Sequence, residues 1–448
     1  MVEQAPSTFM LHPSVAIVFV LALLIGAMAA LKSHARRYAP HPEWTRKLLH
    51  MSMGLVTLSF PWLFAEAWPV LALAAFSCAY FALLRVPGPL QRHLGGVLDG
   101  VKRDAPGEIY FALAIAILFV LARGDAVLFA IPVLLLTFAD AVCALIGVRY
   151  GRLRYPIGDG EKSAEGSVAF FAVAFGCAHG PLLLWTQVGR AETLLIALTL
   201  ALLMTFVEAA SWRGLDNLFI PLGAFALLKN FLQLDAAALC THLGVALALV
   251  VFGLWVRRRT ALDESAALSA ALIGYSSWAV GGGRWLLPLL ALFCGYILSS
   301  RRAGRNSRSV PVQGVLCVAS ASLMWLLLAS ALNAPQLFYP YTLALAAHLA
   351  LTGIAALRHF HPWLRDGVII VFCVLTSWLL LFVPFLLLQG LGAPSLKQTC
   401  YALGFLALAA LGFCAMQPGP ELGSIGAARW LRQAAVAAAI SVLGLIAL

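Results

Sequence analysis

DAVCALIGVRYGRLRYPIGDGEKSAEGS, residues Asp140 to Ser167, opens with a carboxylate inside an apolar run long enough to cross a bilayer. It then passes through a basic, glycine-containing loop to Lys162, Ser163 and Glu165. An ionisable residue at membrane depth is costly and by default marks a functional position. Glycines and a lysine ahead of a fresh helix suit phosphate, because a helix start offers free N–H groups and the positive end of its dipole. The loop holds Gly147, Gly151, Arg152, Arg154, Gly158 and Gly160. It is not a Walker A loop, since Glu161 precedes Lys162 where that pattern requires glycine, and no strand is expected to lead into it. Ser163 is placed to cap the next helix, with Glu165, Gly166 and Ser167 in its first turn.

Working outward, the same apolar character fills the chain. Of 448 residues, 62% are hydrophobic and only 11% charged, which excludes an ordinary soluble domain. Apolar runs of about 20 residues recur from near Pro13 to the C-terminus. The expected fold is all-α, a polytopic integral membrane protein with roughly sixteen spans. A closed barrel would need alternating strands, and that alternation is absent. The formal charge of +11 is explained by topology. With sixteen spans and the N-terminus outside, all of the 30 Lys and Arg except Arg123, Arg190, Lys229, Arg284 and Lys397 fall on the cytoplasmic side or at its edges. No nucleic-acid partner is needed, and membrane lipids account for the surplus. Ala27-Met28-Ala29 imitates a signal-peptidase site, but the preceding segment has Glu3 and no Lys or Arg, while Lys32, Arg36 and Arg37 follow, which suits an uncleaved N-out anchor. The nine cysteines are scattered through apolar runs without a CxxC pair and read as small buried hydrophobes.

Three further polar clusters interrupt the apolar background. In PEWTRKLLHMSMGL, Glu43 and Lys47 are four apart, as are Arg46 and His50, so these side chains can share a helix face. The glycine- and proline-containing stretch Val86 to Gly107, with Lys102 and Arg103, reads as a cytoplasmic loop at headgroup level, after which Glu108 opens a new span. In MTFVEAASWRGLDNLFIPL, Glu208, Asp216 and Asn217 fall at the same expected membrane level as Asp140 and Lys162. Asp140 lies near the cytoplasmic end of its span, where water can reach it. Mg²⁺ is held by one or two carboxylates plus substrate phosphates, so Asp140 with Glu208 or Asp216 is adequate metal chemistry.

RKLLH, the Asp140 to Ser167 stretch and VEAASWRGLDNLFIPL together resemble the CTP-dependent polyprenol kinases, the group of phytol kinase and dolichol kinase, over about residues 40 to 230. The resemblance implies a CTP site formed by Asp140, Gly147, Gly151, Lys162, Ser163, Glu165 and Gly166, with Arg46, Lys47, His50, Glu208, Asp216 and Asn217 matching the flanking motifs. Two positions depart from the family pattern: Cys143 stands where alanine is usual, and Glu161 replaces the first of two basic residues before the serine. The implied activity is transfer of the γ-phosphoryl of CTP to the hydroxyl of a prenol or related lipid alcohol. Lys162 and the helix start at Ser163 would neutralise phosphate, Arg46 and Lys47 would add charge, and the hydroxyl proton would go to His50, Glu165 or Asp216.

Residues 1–256 form the expected catalytic membrane domain and residues 257–448 a second membrane domain without an assigned role. Its first part, from ALDESAALSAALIGYSSW onward, faintly resembles the phytyl-phosphate kinases. Yet no Asp or Glu occurs between Glu264 and Asp366, so a metal–phosphate site there would lack carboxylates. Two other functions fit parts of the pattern. A phosphatidate cytidylyltransferase would use CTP differently, and a transporter would suit the span count but calls for internal repeats and discontinuous helices.

Overall fold

The computed structural model describes residues 12–38, 41–83, 106–157, 160–257, 262–302, 312–417 and 427–448. Nearly all of the headgroup-level loop read at Val86 to Gly107, and Gly158 of the glycine loop, lie outside the described residues. The chain is almost wholly helical, as hydrocarbon surroundings require when the backbone must satisfy its own hydrogen bonds. Ten helices among the described residues are long and apolar enough to cross a membrane. The protein is a multi-pass membrane protein. The other apolar runs counted toward sixteen form helices that are shorter or less apolar, such as Trp68–Leu83 and Gly107–Ala122.

The chain forms two compact units, Met1–Gly244 and Val245–Leu448. Their boundary falls inside the helix Ala236–Arg257, whereas the sequence reading divides the chain at the end of that helix.

In the first unit the order is α1 (Pro13–Tyr38), α2 (Pro42–Leu58), α3 (Phe60–Leu63), α4 (Trp68–Leu83), α5 (Gly107–Ala122), α6 (Ala126–Leu134), a π turn (Leu135–Ala139), α7 (Asp140–Tyr150), β1 (Arg154–Ile157), β2 (Gly160–Ser163), α8 (Ala164–Trp185), α9 (Arg190–Ala210) and α10 (Asp216–Phe231). Helices α6 and α7 and the π turn make one span, Ala126–Tyr150, which packs against α2, α8 and α10. Pro132 removes a backbone donor just upstream of the π turn, and the Asp140 N–H reaches back five residues to the Leu135 carbonyl. Asp140 thus follows directly on a widened turn.

Helix α2 lies against that turn through Gly54. A Cβ there would sit 2.6 to 2.7 Å from Cγ2 and Cβ of Thr137. Lys47, His50 and Gly54 repeat at helical spacing, so the contact that admits only glycine also aims the lysine and histidine at α7. Gly54→Ala is expected to cost about 1–3 kcal/mol through overpacking and to lower the thermal unfolding midpoint in detergent correspondingly.

The hairpin corrects one sequence expectation. A strand does lead into Lys162 and Ser163: β1 and β2 pair antiparallel with Arg154 opposite Ser163 and Tyr155 opposite Lys162. Four-residue strands containing Pro156 and Gly160 are too short to display a period of two, so the segment reads as loop.

The second unit contains α11 (Ala236–Arg257) from Val245 onward, α12 (Glu264–Gly281), α13 (Gly283–Arg302), α14 (Val312–Ala331), α15 (Phe338–Phe360), α16 (Asp366–Gln389), α17 (Ala393–Met416) and α18 (Ala427–Leu443). Helix α15 is its centre, touching α13, α14, α16, α17 and α18. An aromatic cluster of Trp285, Phe338, Tyr339, Tyr341, Phe382 and Phe385 fills its core.

Candidate active site

The site begins on α2. His41 caps the helix by accepting the Glu43 N–H, and Pro42 occupies the first helical turn. Glu43 binds Arg46 through two hydrogen bonds of 3.0 and 2.5 Å, so the i,i+4 pairings expected within this helix are replaced by an i,i+3 pair. Lys47 is thereby left to a partner 93 residues away. Its ammonium donates to Asp140 Oδ2 at 2.6 Å, with both residues 3% exposed. His50 Nε2 stands 3.5 Å from the same oxygen and 3.0 Å from the Leu136 carbonyl of the π turn. A carbonyl only accepts, so Nε2 carries the proton in this contact, and any base role of His50 falls to Nδ1. Phe111 backs the ring edge-on.

The second half of the site comes from the hairpin and α9. Lys162 donates to Glu208 Oε1 at 2.7 Å and also to the Glu208 backbone carbonyl. That carbonyl lies in the last turn of α9, where helices leave acceptors over and the dipole favours a cation. Glu208 is 4% exposed, and its Oε2 is buried without a hydrogen-bond partner among the described residues.

The two ion pairs share one neighbourhood. The charges of Glu208, Lys162, Asp140 and Lys47 all act on the thiol of Cys143, which lies one turn beyond Asp140 on α7. Asp216, in the first turn of α10, acts electrostatically on both Lys162 and Arg46. The expected residues Arg46, Lys47, His50, Asp140, Lys162, Glu208 and Asp216 therefore form a single connected set of charges.

The remaining candidates have structural partners. Ser163 caps α8, its Oγ accepting the Gly166 N–H at 3.2 Å. Gly147, Gly151 and Gly166 surround this serine: a Cβ on them would lie 3.1, 2.8 and 3.2 Å from Ser163 Oγ respectively, and one on Gly166 would also lie 2.9 Å from the Cys143 carbonyl. These glycines allow close packing of α7 on the start of α8. Glu165 points to the loop, where its carboxylate accepts the Leu153 N–H at 3.1 and 3.3 Å. Asn217 donates to the Gly107 carbonyl at 2.8 Å and ties α10 to α5, beside Gly214 in the left-handed region at φ +80°.

Among the described residues, no group of three or more His, Cys, Asp or Glu side chains is arranged to hold a metal ion. Of the carboxylates read from the sequence as metal ligands, Asp140 is paired with Lys47 and Glu208 with Lys162. The orphaned Glu208 Oε2 is nevertheless a hard oxygen donor, and a buried unsatisfied carboxylate oxygen fits a divalent cation completed by substrate phosphate.

Tyr155 is a neighbour that sequence reasoning missed. It is cross-strand from Lys162, its hydroxyl lies 2.9 Å from Ser167 Oγ, and burial together with the Glu208 charge pushes its pKa up to about 12. Only the strand register exposes it. For Lys162, burial alone would favour loss of the proton, but the carboxylates of Glu208 and Asp216 outweigh burial and hold the pKa above the ordinary lysine value. A raised lysine pKa contributes stability that is complete below the unfolded value and disappears only as pH rises through the folded one. The difference in unfolding midpoint between wild type and Lys162→Met/Glu208→Gln is therefore expected to stay constant from about pH 6 to pH 9.

A bundle of apolar helices with a buried and a partly buried lysine–carboxylate pair defines a polytopic membrane protein with an internal polar centre. The chain belongs to the phytol kinase family. It is 31% identical over 206 residues to the phytol kinase of Synechocystis sp., a match that takes in 45% of this chain and 86% of that protein. It is 24% identical over 203 residues to a probable chloroplastic phytol kinase of Glycine max, 41% of this chain and 65% of that one. An uncharacterized protein of Methanocaldococcus jannaschii is 30% identical over 146 residues, 32% of this chain and 69% of its own length. No family model matches the chain. No solved structure matches it.

Proposed function

We propose that the first unit is a lipid kinase that transfers the γ-phosphoryl group of CTP to the hydroxyl of a prenol of the phytol or dolichol kind. The observation that carries this reading is the juxtaposition of the Lys47–Asp140 and Lys162–Glu208 pairs in a family whose relatives include a phytol kinase. Phosphoryl transfer depends on positioning and charge neutralisation more than on covalent chemistry, and buried lysines held ready by carboxylates supply both.

The alcohol oxygen forms a bond to the γ-phosphorus as the bond to the β,γ-bridging oxygen breaks, and CDP departs. Lys162 and Lys47 turn from their carboxylates toward phosphate oxygens, with Arg46 adding charge. The hydroxyl proton passes to a base. Glu165 is committed to the Leu153 backbone and His50 Nε2 to Leu136, which leaves His50 Nδ1 and Asp216, and we assign the proton to Asp216, whose charge acts on both Arg46 and Lys162. Mg²⁺, held by Asp140 with Glu208, would neutralise the triphosphate when bound. From the distribution of Lys and Arg we infer an N-terminus outside and a nucleotide entrance on the cytoplasmic side.

Membranes containing the full chain, supplied with phytol and with CTP labelled either at the γ-phosphate or in the cytosine ring, test the proposal. Expected is γ-label in the lipid and no ring label, with ATP a poorer donor. Ring label in the lipid would identify a cytidylyltransferase instead.

A further inference from the structure

The second unit contains a cavity between α12, α13, α14, α15 and α18 that comprises about 660 Å³ of space, counting the part open to the surface. Its walls are mostly apolar, with Ile273, Phe293 and Val318 among them, and they include His348, Thr352 and Trp430. Among the described residues, no carboxylate, lysine or arginine lines it.

Its polar groups are incompletely satisfied. His348 is 1% exposed and Trp430 3%, and among the described residues neither His348 Nε2 nor the Trp430 indole nitrogen has a hydrogen-bond partner. The protonation of His348 follows from Gln433, which is fully buried. The Gln433 side-chain nitrogen lies 3.3 Å from the His348 carbonyl, which can only accept, so the NH₂ end of the amide must face this group. The same NH₂ lies 3.3 Å from His348 Nδ1 and 2.8 Å from Thr352 Oγ1. Nδ1 is thus the acceptor nitrogen, and in the neutral ring Nε2 carries the hydrogen. The lining residues His348 and Trp430 therefore each carry an orphaned N–H donor, and Thr352 Oγ1, also in the lining, has a second lone pair with which to accept. Buried groups left in this condition cost free energy that a complementary ligand would recover.

The geometry points to a binding site for a long-chain lipid alcohol in this cavity. A hydroxyl oxygen can accept from the ring N–H groups and give its hydrogen to Thr352 Oγ1, so an uncharged head of this kind uses the polar groups of the lining while the hydrocarbon lies along the apolar wall. A ketone or ester has no hydrogen to give. A carboxylate or phosphate would bring a charge into walls that offer no counter-charge. The inference rests on the cavity alone and not on the transfer chemistry of the first unit.

The test uses the full chain in nanodiscs and a diazirine-bearing isoprenoid alcohol as photoprobe, with the unlabelled alcohol, its methyl ether and the matching hydrocarbon as competitors. Expected are cross-links on α12 to α15, displaced at least about tenfold better by the alcohol than by the ether or the hydrocarbon. Trp430→Phe, which keeps an aromatic ring but loses the N–H, and His348→Phe are each expected to weaken this displacement about fivefold, the change one lost hydrogen bond produces. Cross-linking in Asp140→Asn is expected to equal that of wild type, so failure here is read separately from failure of transfer in the first unit. Equal displacement by alcohol and hydrocarbon in wild type, or cross-links absent from these helices, would overturn the assignment whatever the variants do.

Discussion

Lys162→Met is expected to lose transfer activity by at least about a hundredfold and to destabilise the protein by about 3 kcal/mol. The second figure comes from the partner left behind. Glu208 is 4% exposed, and with the ammonium removed its carboxylate would have neither water nor a counter-charge beside it. We take the lower end of the range for a broken buried pair because the Lys162 side chain keeps 20% of its surface accessible. The double variant Lys162→Met/Glu208→Gln separates the two effects. Without a buried charge it should regain most of the unfolding midpoint, since an ion pair replaced on both sides is often neutral for stability, yet it should stay inactive. Unfolding in detergent and label transfer in membranes, measured on the same preparations, check both statements. Recovery of activity in the double variant would remove Lys162 from the mechanism.

Asp140→Asn is expected to lower the transfer rate by about a thousandfold and to destabilise the protein by about 3 kcal/mol, because Lys47 is left buried without a counter-charge. Asparagine keeps the shape and can still accept from Lys47, but it removes the negative charge that holds Lys47 at 2.6 Å and faces His50 at 3.5 Å. Lys47 then loses its fixed position for phosphate. The loss should fall on kcat, with KM for the lipid alcohol little altered, because nothing in the Lys47–Asp140–His50 group is apolar enough to hold the hydrocarbon. An Asp140→Asn protein retaining more than a tenth of wild-type kcat would contradict the assignment.

The membrane class and the identity of the chemical groups were readable because both depend on composition and on isolated charges. A carboxylate such as Asp140 in a long apolar run is visible without knowing what it touches. What it touches was not readable. Lys47 is aligned by local spacing with Glu43, but in the fold Arg46 takes Glu43 and Lys47 crosses to α7, a choice made by tertiary packing through Gly54 and Thr137. The glycines of the loop suggested a cradle for phosphate, and in the fold Gly147, Gly151 and Gly166 also make room for Ser163. Glycine is required equally by close backbone approach and by ligand contact, and sequence does not separate the two. The hairpin was hidden because each strand spans only four residues. The three metal candidates were of the right type, but the lysines that occupy Asp140 and Glu208 come from 93 and 46 residues away in the chain.

The widened turn at Leu135–Ala139 ties two features that look independent on paper. It holds one more residue than an ordinary helical turn of the same rise, and the Leu136 oxygen it presents is the anchor of the His50 ring. Deleting a single residue there would return the backbone to regular winding and leave the imidazole unmoored. Indel and substitution should accordingly travel together: a relative one residue shorter at this place is expected to have exchanged its histidine as well.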